Sequence, residues 1–216
     1  MDCCSTEVLE QQFGPRLAAA ELRRYRRRGP GRTARLLLLG LRAHLPPQAT
    51  LLDVGGGIGA LHHELLDYGV TRACEVEPSA AFLQAAEEEA RRRGHVGRVE
   101  FIHADIRQAA ATVPDADIVT LDRVVCCDPD YEQVLQLSLG KARQLFAYSY
   151  PRHWLGVRAV VGLQNTLRRL RRTNFRVFVH PPERMESIIR AYGFSSAFRA
   201  RTLVWQVGVY TRVAAA

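Results

Sequence analysis

The chain contains little lysine, and its basic residues are almost all arginine. Lys141 is the only lysine among 30 basic residues, so the other 29 are arginines, and the formal net charge is +8. A charge of this size is typical of nucleic-acid binding, but a one-sided use of arginine also arises in GC-rich genomes. The charge therefore leaves a nucleic-acid partner open without indicating one.

Long apolar runs are missing as well. The run at residues 36–39 is bounded by Arg35 and Gly40, and nothing approaches the ~20 apolar residues of a membrane span. The first residues show no basic region followed by an apolar one, as a secretory leader would. With 216 residues, 47% of them hydrophobic, we expect a cytoplasmic protein with one substantial core and no membrane span. The oligomeric state is not indicated.

The few cysteines exclude two further classes of protein. They stand as Cys3-Cys4, Cys74 and Cys126-Cys127, an odd number without CxxC spacing. This pattern argues against a disulfide framework and a structural zinc site, and we expect no metal. Adjacent cysteines usually pack as small apolar residues. The alternative is a soft substrate, or trivalent arsenic, held by Cys126-Cys127 together with Cys3-Cys4.

The most informative motif is a glycine-rich turn between an apolar strand at residues 50–54 and a helix at residues 60–68. Glycines let the backbone turn sharply and approach a ligand, and the helix that follows supplies free N–H groups. The turn predicts a nucleotide-type cofactor site. The residues expected to contact the ligand are Asp53, Gly55, Gly56, Gly57 and Gly59.

Two cofactors compete for this turn. The glycine spacing also fits a loose dinucleotide fingerprint, with Glu75 or Glu77 near the ~20-residue offset of a ribose-binding acid. Asp53 favours S-adenosylmethionine instead of NAD, because a carboxylate at a strand end repels a pyrophosphate and attracts the ammonium and sulfonium groups. Asp105, which follows another predicted strand, is placed to accept a hydrogen bond from an adenine amino group.

Four segments, in this order, resemble the successive motifs of the class I S-adenosylmethionine-dependent methyltransferases: residues 51–59, Val76-Glu77-Pro78-Ser79, Ala104-Asp105 and residues 116–123. The resemblance covers about residues 50–211. It implies a doubly wound α/β fold, with a seven-stranded, mostly parallel sheet and a reversed final strand. It also implies that Gly55 and Gly57 lie beside the methionine part, Glu77 on the ribose hydroxyls, and Asp105 with Ile106 near the adenine.

The order of elements indicates how the chain is organised. Strands and helices alternate from residue 50 onward, which predicts helices on both faces of a parallel sheet. We expect a helical cap at residues 1–45, with residues 1–13 loosely ordered, and a methyltransferase domain at residues 46–216. An insertion at about residues 151–180 ends in a basic turn, which is either solvated or an anion clamp.

Sequence gives only candidates for catalysis. Methyl transfer is an in-line displacement that proceeds largely by alignment and exclusion of water, so no universal catalytic residue is expected. The candidates for a base or a substrate contact are His153, His180, Tyr25 and Asp122, of which Asp122 is also expected near the donor.

The predicted function is methyl transfer from S-adenosylmethionine to a small, anionic molecule, with oxygen as the first choice of acceptor atom. Among family members, the basic cap and late insertion are most similar to small-molecule enzymes, including those that act on tetrapyrrole carboxylates. The alternatives are an RNA methyltransferase, a non-catalytic S-adenosylmethionine-binding partner subunit and an NAD-dependent oxidoreductase.

Overall fold

A computed structural model describes residues 5–213, apart from the side chain of Thr6, so Cys3 and Cys4 lie outside the described residues. The strands are β1 (Thr50–Val54), β2 (Arg72–Glu77), β3 (Val99–His103), β4 (Ala116–Asp122), β5 (Ala142–Pro151), β6 (Phe194–Arg201) and β7 (Trp205–Arg212). The helices are α1 (Thr6–Gln12), α2 (Pro15–Arg28), α3 (Arg32–Arg42), α4 (Ala60–Tyr68), α5 (Ala80–Arg93), α6 (Ile106–Ala109), α7 (Tyr131–Lys141), α8 (Leu155–Leu170) and α9 (Pro182–Ala191).

The strands form a seven-stranded sheet in the order β3-β2-β1-β4-β5-β7-β6. Strands β1 to β5 are parallel, and β7 runs antiparallel to both β5 and β6. The predicted mostly parallel sheet with a reversed final strand is confirmed. Because parallel strands end at one edge, the acids at the ends of β1, β2 and β4 come together there. Asp53 lies opposite Glu75 on one side and Thr120 on the other.

Apolar helices cover both faces of the sheet. On one face, α3 and α4 pack on β1, β5 and β7 through residues such as Leu37, Leu65 and Val209. On the other, α7 and α9 pack on β4 and β5, with Leu135 and Ile189 fully buried. Helix α3, which the sequence assigned to the cap, thus belongs to the packed layer around the sheet. The division between cap and methyltransferase domain at residue 45 stays a prediction. A deletion of residues 1–44 would remove side chains of α3 that belong to the core.

The N-terminal segment is more ordered than expected. The prediction of loose structure over residues 1–13 is wrong for its described part, because residues 6–12 form α1. Val8 and Leu9 pack against Phe175 of the insertion, and the Phe13 ring lies 5.5 Å from that of Phe175 and 5.7 Å from that of Phe82. Aromatic partners far along the chain therefore stabilise a helix that its own short sequence would not.

None of the helices in residues 5–213 is both long enough and apolar enough to cross a membrane.

Gly40 shows how closely α3 approaches the sheet. A Cβ atom at this position would lie 2.4 Å from the Phe198 ring and 2.8 Å from a Val209 methyl group. Overpacking of this kind costs about 1–3 kcal/mol. We expect Gly40→Val to lower the free energy of unfolding by about 2 kcal/mol in urea denaturation. Gly140→Val is the matched control, because Gly140 of α7 faces open space. Equal stability of the two variants would contradict this packing.

Candidate active site

A cavity of about 760 Å³ lies at the edge of the sheet where the parallel strands end. The last residues of four strands line it: Val54 of β1, Glu77 of β2, Asp122 of β4 and Pro151 of β5. Helices α1, α2 and α8 and the β6–β7 turn form the remaining walls. The volume lies within the ~300–1,000 Å³ that small-molecule sites occupy.

The glycine turn forms the floor of the cavity. Gly55 and Gly57 have φ angles of 62° and 68°, which favour glycine, and both line the cavity. Gly56 has a second constraint, since a Cβ there would lie 2.8 Å from carboxyl oxygens of both Asp53 and Glu75. Gly59 has a φ of 76° and precedes α4, but it abuts the ring of His62 and does not line the cavity.

Asp53 lines the cavity and has one carboxyl oxygen without a hydrogen-bond partner. Its Oδ1 accepts a 2.6 Å hydrogen bond from the Thr120 hydroxyl, whereas its Oδ2 has no hydrogen-bond partner. The nearest cation candidate is His62 Nδ1, 3.3 Å from Oδ2 but not hydrogen-bonded to it. A buried, unpaired carboxylate oxygen in a cavity wall fits a cationic group such as the ammonium of S-adenosylmethionine.

Glu75 and Glu77, the two candidates for the ribose, occupy different places. Glu75 is fully buried, and it does not line the cavity. Burial, followed by the charges of Asp53 and Glu77, raises the pKa of Glu75 well above its ordinary value, so it retains its proton. Glu77 lines the cavity, which leaves it as the acid able to contact a ribose.

Glu77 is held by the backbone of the turn. Its Oε2 accepts from the Gly57 amide at 3.0 Å, and its Oε1 accepts from the Ser79 amide at 2.8 Å. Burial raises the pKa of Glu77 to about 7, although these two hydrogen bonds oppose the shift. Each oxygen retains a lone pair for a ribose hydroxyl.

Asp105 and Ile106 form the side wall. Asp105 caps α6 and pairs with Arg107, whose Nε lies 2.9 Å from Oδ1, and Arg107 also reaches Asp128 Oδ2 at 2.8 Å. Ile106 is buried and lines the cavity beside Asp105. An ionised carboxyl group has about four lone-pair sites, so Asp105 can still accept from an amino group.

Asp122 is fixed from two sides. Its Oδ1 accepts from the Ser149 hydroxyl at 2.5 Å, and its Oδ2 accepts from the Thr33 hydroxyl at 3.0 Å. Burial raises the pKa of Asp122, against the opposing charge of Arg123. Arg123 is the next residue and has a φ of 64°, a conformation that non-glycine residues rarely adopt. This backbone twist places both Asp122 and Arg123 on the cavity wall.

The structure does not bring the two candidate histidines to the cavity. His153 is exposed and does not line it, although Pro151 and Trp154 do. His180 Nε2 lies 2.9 Å from the carbonyl oxygens of both Val125 and Asp128 and thereby fixes a turn. Burial lowers the pKa of His180. Neither ring lines the cavity, so neither is placed to take a proton from a bound acceptor.

Tyr25 lines the cavity, but its hydroxyl is engaged outside it. The hydroxyl donates a 2.9 Å hydrogen bond to Glu64 Oε1, and the Arg93 guanidinium lies 5.0 Å from the ring. Burial raises the pKa of Tyr25, with Glu64 adding to the shift. Tyr25 is therefore a wall residue that keeps its proton.

Cys126 and Cys127 lie in the same wall, 3.8 Å apart between their sulfur atoms. The hydrogen bond to Cys126, together with burial, raises the pKa of Cys127 well above its ordinary value. A protonated thiol is a poor ligand for a metalloid. In the part of the chain that the structure describes, no group of three or more metal-binding side chains occurs.

Other wall residues were not singled out by the sequence. Arg24 of α2 and Arg168 of α8 reach the cavity with Arg123, and Phe82 and Trp154 add aromatic surface. Arg168 belongs to a basic turn that the sequence left open between solvation and anion binding. The αL conformation of Arg123 has no sequence signal, since glycine would be the expected residue.

The comparisons agree with this geometry. Residues 51–139 match a family model described as a methyltransferase domain. Residues 51–139 therefore carry a methyltransferase domain, and the described chain has the class I methyltransferase fold that the sequence predicted. S-adenosylmethionine is the cofactor of this class, and the unpaired Asp53 oxygen and the available Glu77 oxygens fit it. No curated protein matches the chain in sequence.

Several solved structures share the fold at low identity. Magnesium protoporphyrin IX methyltransferase from Synechocystis PCC 6803 is 17% identical, with a TM-score of 0.73 over 96% of this chain and 99% of that chain. A putative methyltransferase in complex with the Haloferax volcanii activator Trm112 is 14% identical, with a TM-score of 0.70 over 96% and 99%. A putative RNA methyltransferase from Pyrococcus horikoshii is 16% identical, with a TM-score of 0.61 over 86% and 84%.

Asp53 and Glu75 provide a matched pair of variants. We expect Asp53→Asn to weaken S-adenosylmethionine binding at least about tenfold in calorimetry, because a buried charge-assisted contact is worth roughly 1.5–3 kcal/mol. Glu75→Gln should bind nearly as the native protein does, because Glu75 already holds a proton. If Asp53 contacts only the ammonium group, Asp53→Asn should reduce the affinity for S-adenosylhomocysteine by the same factor, since both ligands carry that group. Unchanged affinity of Asp53→Asn would place the ammonium elsewhere.

Proposed function

We propose that this protein transfers the methyl group of S-adenosylmethionine to an oxygen of a small, anionic molecule in the cytoplasm, with a carboxylate as the favoured acceptor. The observation that carries the proposal is the cavity wall opposite the glycine turn. Three arginines, Arg24, Arg123 and Arg168, reach a cavity that no histidine of residues 5–213 lines.

The donor end of the cavity is defined by acids. In the proposal, Asp53 binds the ammonium group and Glu77 binds the ribose hydroxyls, while Asp105 and Ile106 hold the adenine. Gly55 and Gly57 let the methionine part approach the backbone. The acids line the same cavity as the arginines, so donor and acceptor would meet inside one enclosure.

The acceptor follows from the absence of a suitable base. An alcohol or an ammonium group must lose a proton before or during attack, and His153, His180 and Tyr25 are not placed to take it. Asp122 lines the cavity, but its two carboxyl oxygens already accept hydrogen bonds from Ser149 and Thr33. A carboxylate is already ionised near neutral pH and needs no base. Its oxygen forms the new O–CH₃ bond as the S–CH₃ bond breaks, and the electron pair of that bond stays on sulfur. The sulfonium thereby becomes neutral S-adenosylhomocysteine.

The walls supply alignment and exclude water. Arginine side chains present two-pronged donors that fit carboxylate groups, so they can hold an acceptor in one orientation. Apolar side chains at the end of α1 and from α5, α8 and β7 enclose much of the remaining surface: Phe13, Phe82, Val157 and Trp205. A dry enclosure strengthens the electrostatic contacts and favours the in-line geometry.

Arg168 and Arg91 give a direct test of acceptor binding. We expect Arg168→Gln to raise the KM for an anionic acceptor about tenfold or more, with donor affinity unchanged, because one charge-assisted contact is lost. Arg91→Gln is the control, because Arg91 pairs with Glu87 on α5 and does not line the cavity. The assay screens small carboxylates for formation of S-adenosylhomocysteine.

RNA remains the second candidate, favoured by the net charge of +8. Methyl incorporation into RNA that falls steeply with salt, without turnover of any small acceptor, would replace the first proposal. Donor binding without turnover of either kind would favour a non-catalytic partner subunit.

Glu77 predicts a pH dependence of donor binding. Its carboxylate form accepts the ribose hydroxyls, and its pKa is raised to about 7, so this form is lost as the pH falls through 7. We expect the Kd for S-adenosylmethionine to be about tenfold higher at pH 6 than at pH 8, measured by calorimetry. Glu77→Gln should bind more weakly at pH 8 and show a nearly flat profile. A native profile that is flat between these values would contradict the assignment of Glu77.

A further inference from the structure

Helix α8 has an apolar stripe that nothing in the described chain covers. Of its 16 residues, only Val157 is buried. Leu163, Leu167 and Leu170 are 62%, 44% and 75% exposed, and Val160 is 55% exposed. Their spacing of three and four residues places them on one side of the helix, over about 15 Å.

The stripe continues onto neighbouring elements. Trp154 and Leu155 are exposed where α8 begins, and Leu203 and Val204 are exposed in the β6–β7 turn. Arg152 joins these two places, because its amide donates to the Val204 carbonyl oxygen at 2.8 Å. We call this surface the apolar rim, formed by Trp154, Leu155, Val160, Leu163, Leu167, Leu170, Leu203 and Val204. An uncovered apolar surface of this kind marks an interaction site.

The charge around the apolar rim identifies the occupant. Residues 133–182 contain no Asp or Glu, whereas they contain Lys141 and eight arginines. Arg171 and Arg172 are exposed directly after Leu170, where the leucine stripe of α8 ends, and the Arg171 amide donates to the Leu167 carbonyl oxygen at 3.0 Å. The occupant must therefore offer negative charge next to an apolar interior.

A lipid surface meets both requirements better than the other possible partners. A second copy of this chain would place one positive segment against another, which is unfavourable. RNA would pair with the arginines but would leave the leucines in water. An anionic bilayer accepts leucines below its headgroups, arginines at the phosphates and a tryptophan at the boundary between them.

We propose that the apolar rim docks on an anionic lipid surface, with α8 lying in the plane of the interface. This surface would be peripheral, without a membrane span. Four residues of the apolar rim also line the cavity, so docking would bring the cavity mouth against the lipid: Trp154, Val160, Leu203 and Val204. The inference rests on the exposed faces of α8 and the β6–β7 turn, and it does not depend on the identity of the methyl acceptor.

The test is sedimentation of the full-length protein with lipid vesicles. We expect binding to vesicles of phosphatidylcholine and phosphatidylglycerol, and binding at least about tenfold weaker to phosphatidylcholine alone. The double variant L163S/L167S should bind anionic vesicles at least about tenfold more weakly, because it removes the inserted apolar side chains. Neither Leu163 nor Leu167 lines the cavity, and both are exposed, so folding and donor binding should be retained.

Two control variants lie at the opposite edge of the sheet. Val96→Ser removes a 69% exposed apolar side chain in the turn before β3, and Arg91→Gln removes an exposed charge near the end of α5. Both should bind vesicles as the native protein does, whereas Arg171→Gln should lose affinity for anionic vesicles only.

Three results would overturn the proposal. The first is that L163S/L167S, shown to be folded by circular dichroism, binds vesicles as the native protein does. The second is that light scattering finds a native dimer that the double variant converts to a monomer, with no vesicle binding. The third is that the native protein binds RNA and does not bind anionic vesicles, which would indicate that the arginines bind nucleic acid.

Discussion

The crowding of three carboxyl groups beneath the glycine turn is the constraint on which the rest of the site depends. Asp53, Glu75 and Glu77 come from the ends of two adjacent parallel strands, and all three are buried. Buried like charges cannot all be ionised, so protons remain on the least solvated group, which is Glu75. Above its pKa of about 7, Glu77 adds negative charge to the cavity wall beside Asp53. The absence of a Cβ at Gly56 is what allows this packing.

The histidines next to these carboxyl groups are buried in the core and do not line the cavity. His62 lies beside Asp53 and Glu75, and its ring packs at 4.2 Å from that of His63. His63 Nδ1 lies 3.1 Å from His95 Nδ1, and His95 Nε2 lies 2.9 Å from Asp67 Oδ1 at the surface. Burial lowers the pKa of His63 to about 2, so His63 stays neutral. These imidazoles pack in the core beneath the carboxyl groups, and Asp53 Oδ2 has no hydrogen-bond partner among the described residues.

Most residues that the sequence proposed for donor binding, including Asp53, Glu77 and Asp105, do line the cavity, because local patterns determine their positions. Periodicity in the sequence indicates where the strands end. Residue types that only certain backbone conformations accept indicate the glycine turn and the acids at the ends of β1, β2 and β3. The acceptor half depends on side-chain direction. His180 looked suitable because it precedes Pro181-Pro182 near the sheet edge, yet its ring turns inward to two carbonyl oxygens and stacks on Tyr131 at 3.9 Å. No pattern in the sequence distinguishes these two orientations.

Long-range packing explains why the acceptor wall carries no recognisable motif. Its parts come from α1, α2, α8 and the β6–β7 turn, and they meet through contacts such as that of Phe13 with Phe175, which are separated by most of the chain. Helix α8 in particular packs loosely, because Val157 is its one buried residue. A wall held this loosely can change its residues without unfolding the sheet, whereas the donor floor cannot, because Gly56 has carboxyl groups on its side-chain face. In the proposed function, donor binding therefore depends on the core, and acceptor specificity depends on the elements that pack over it.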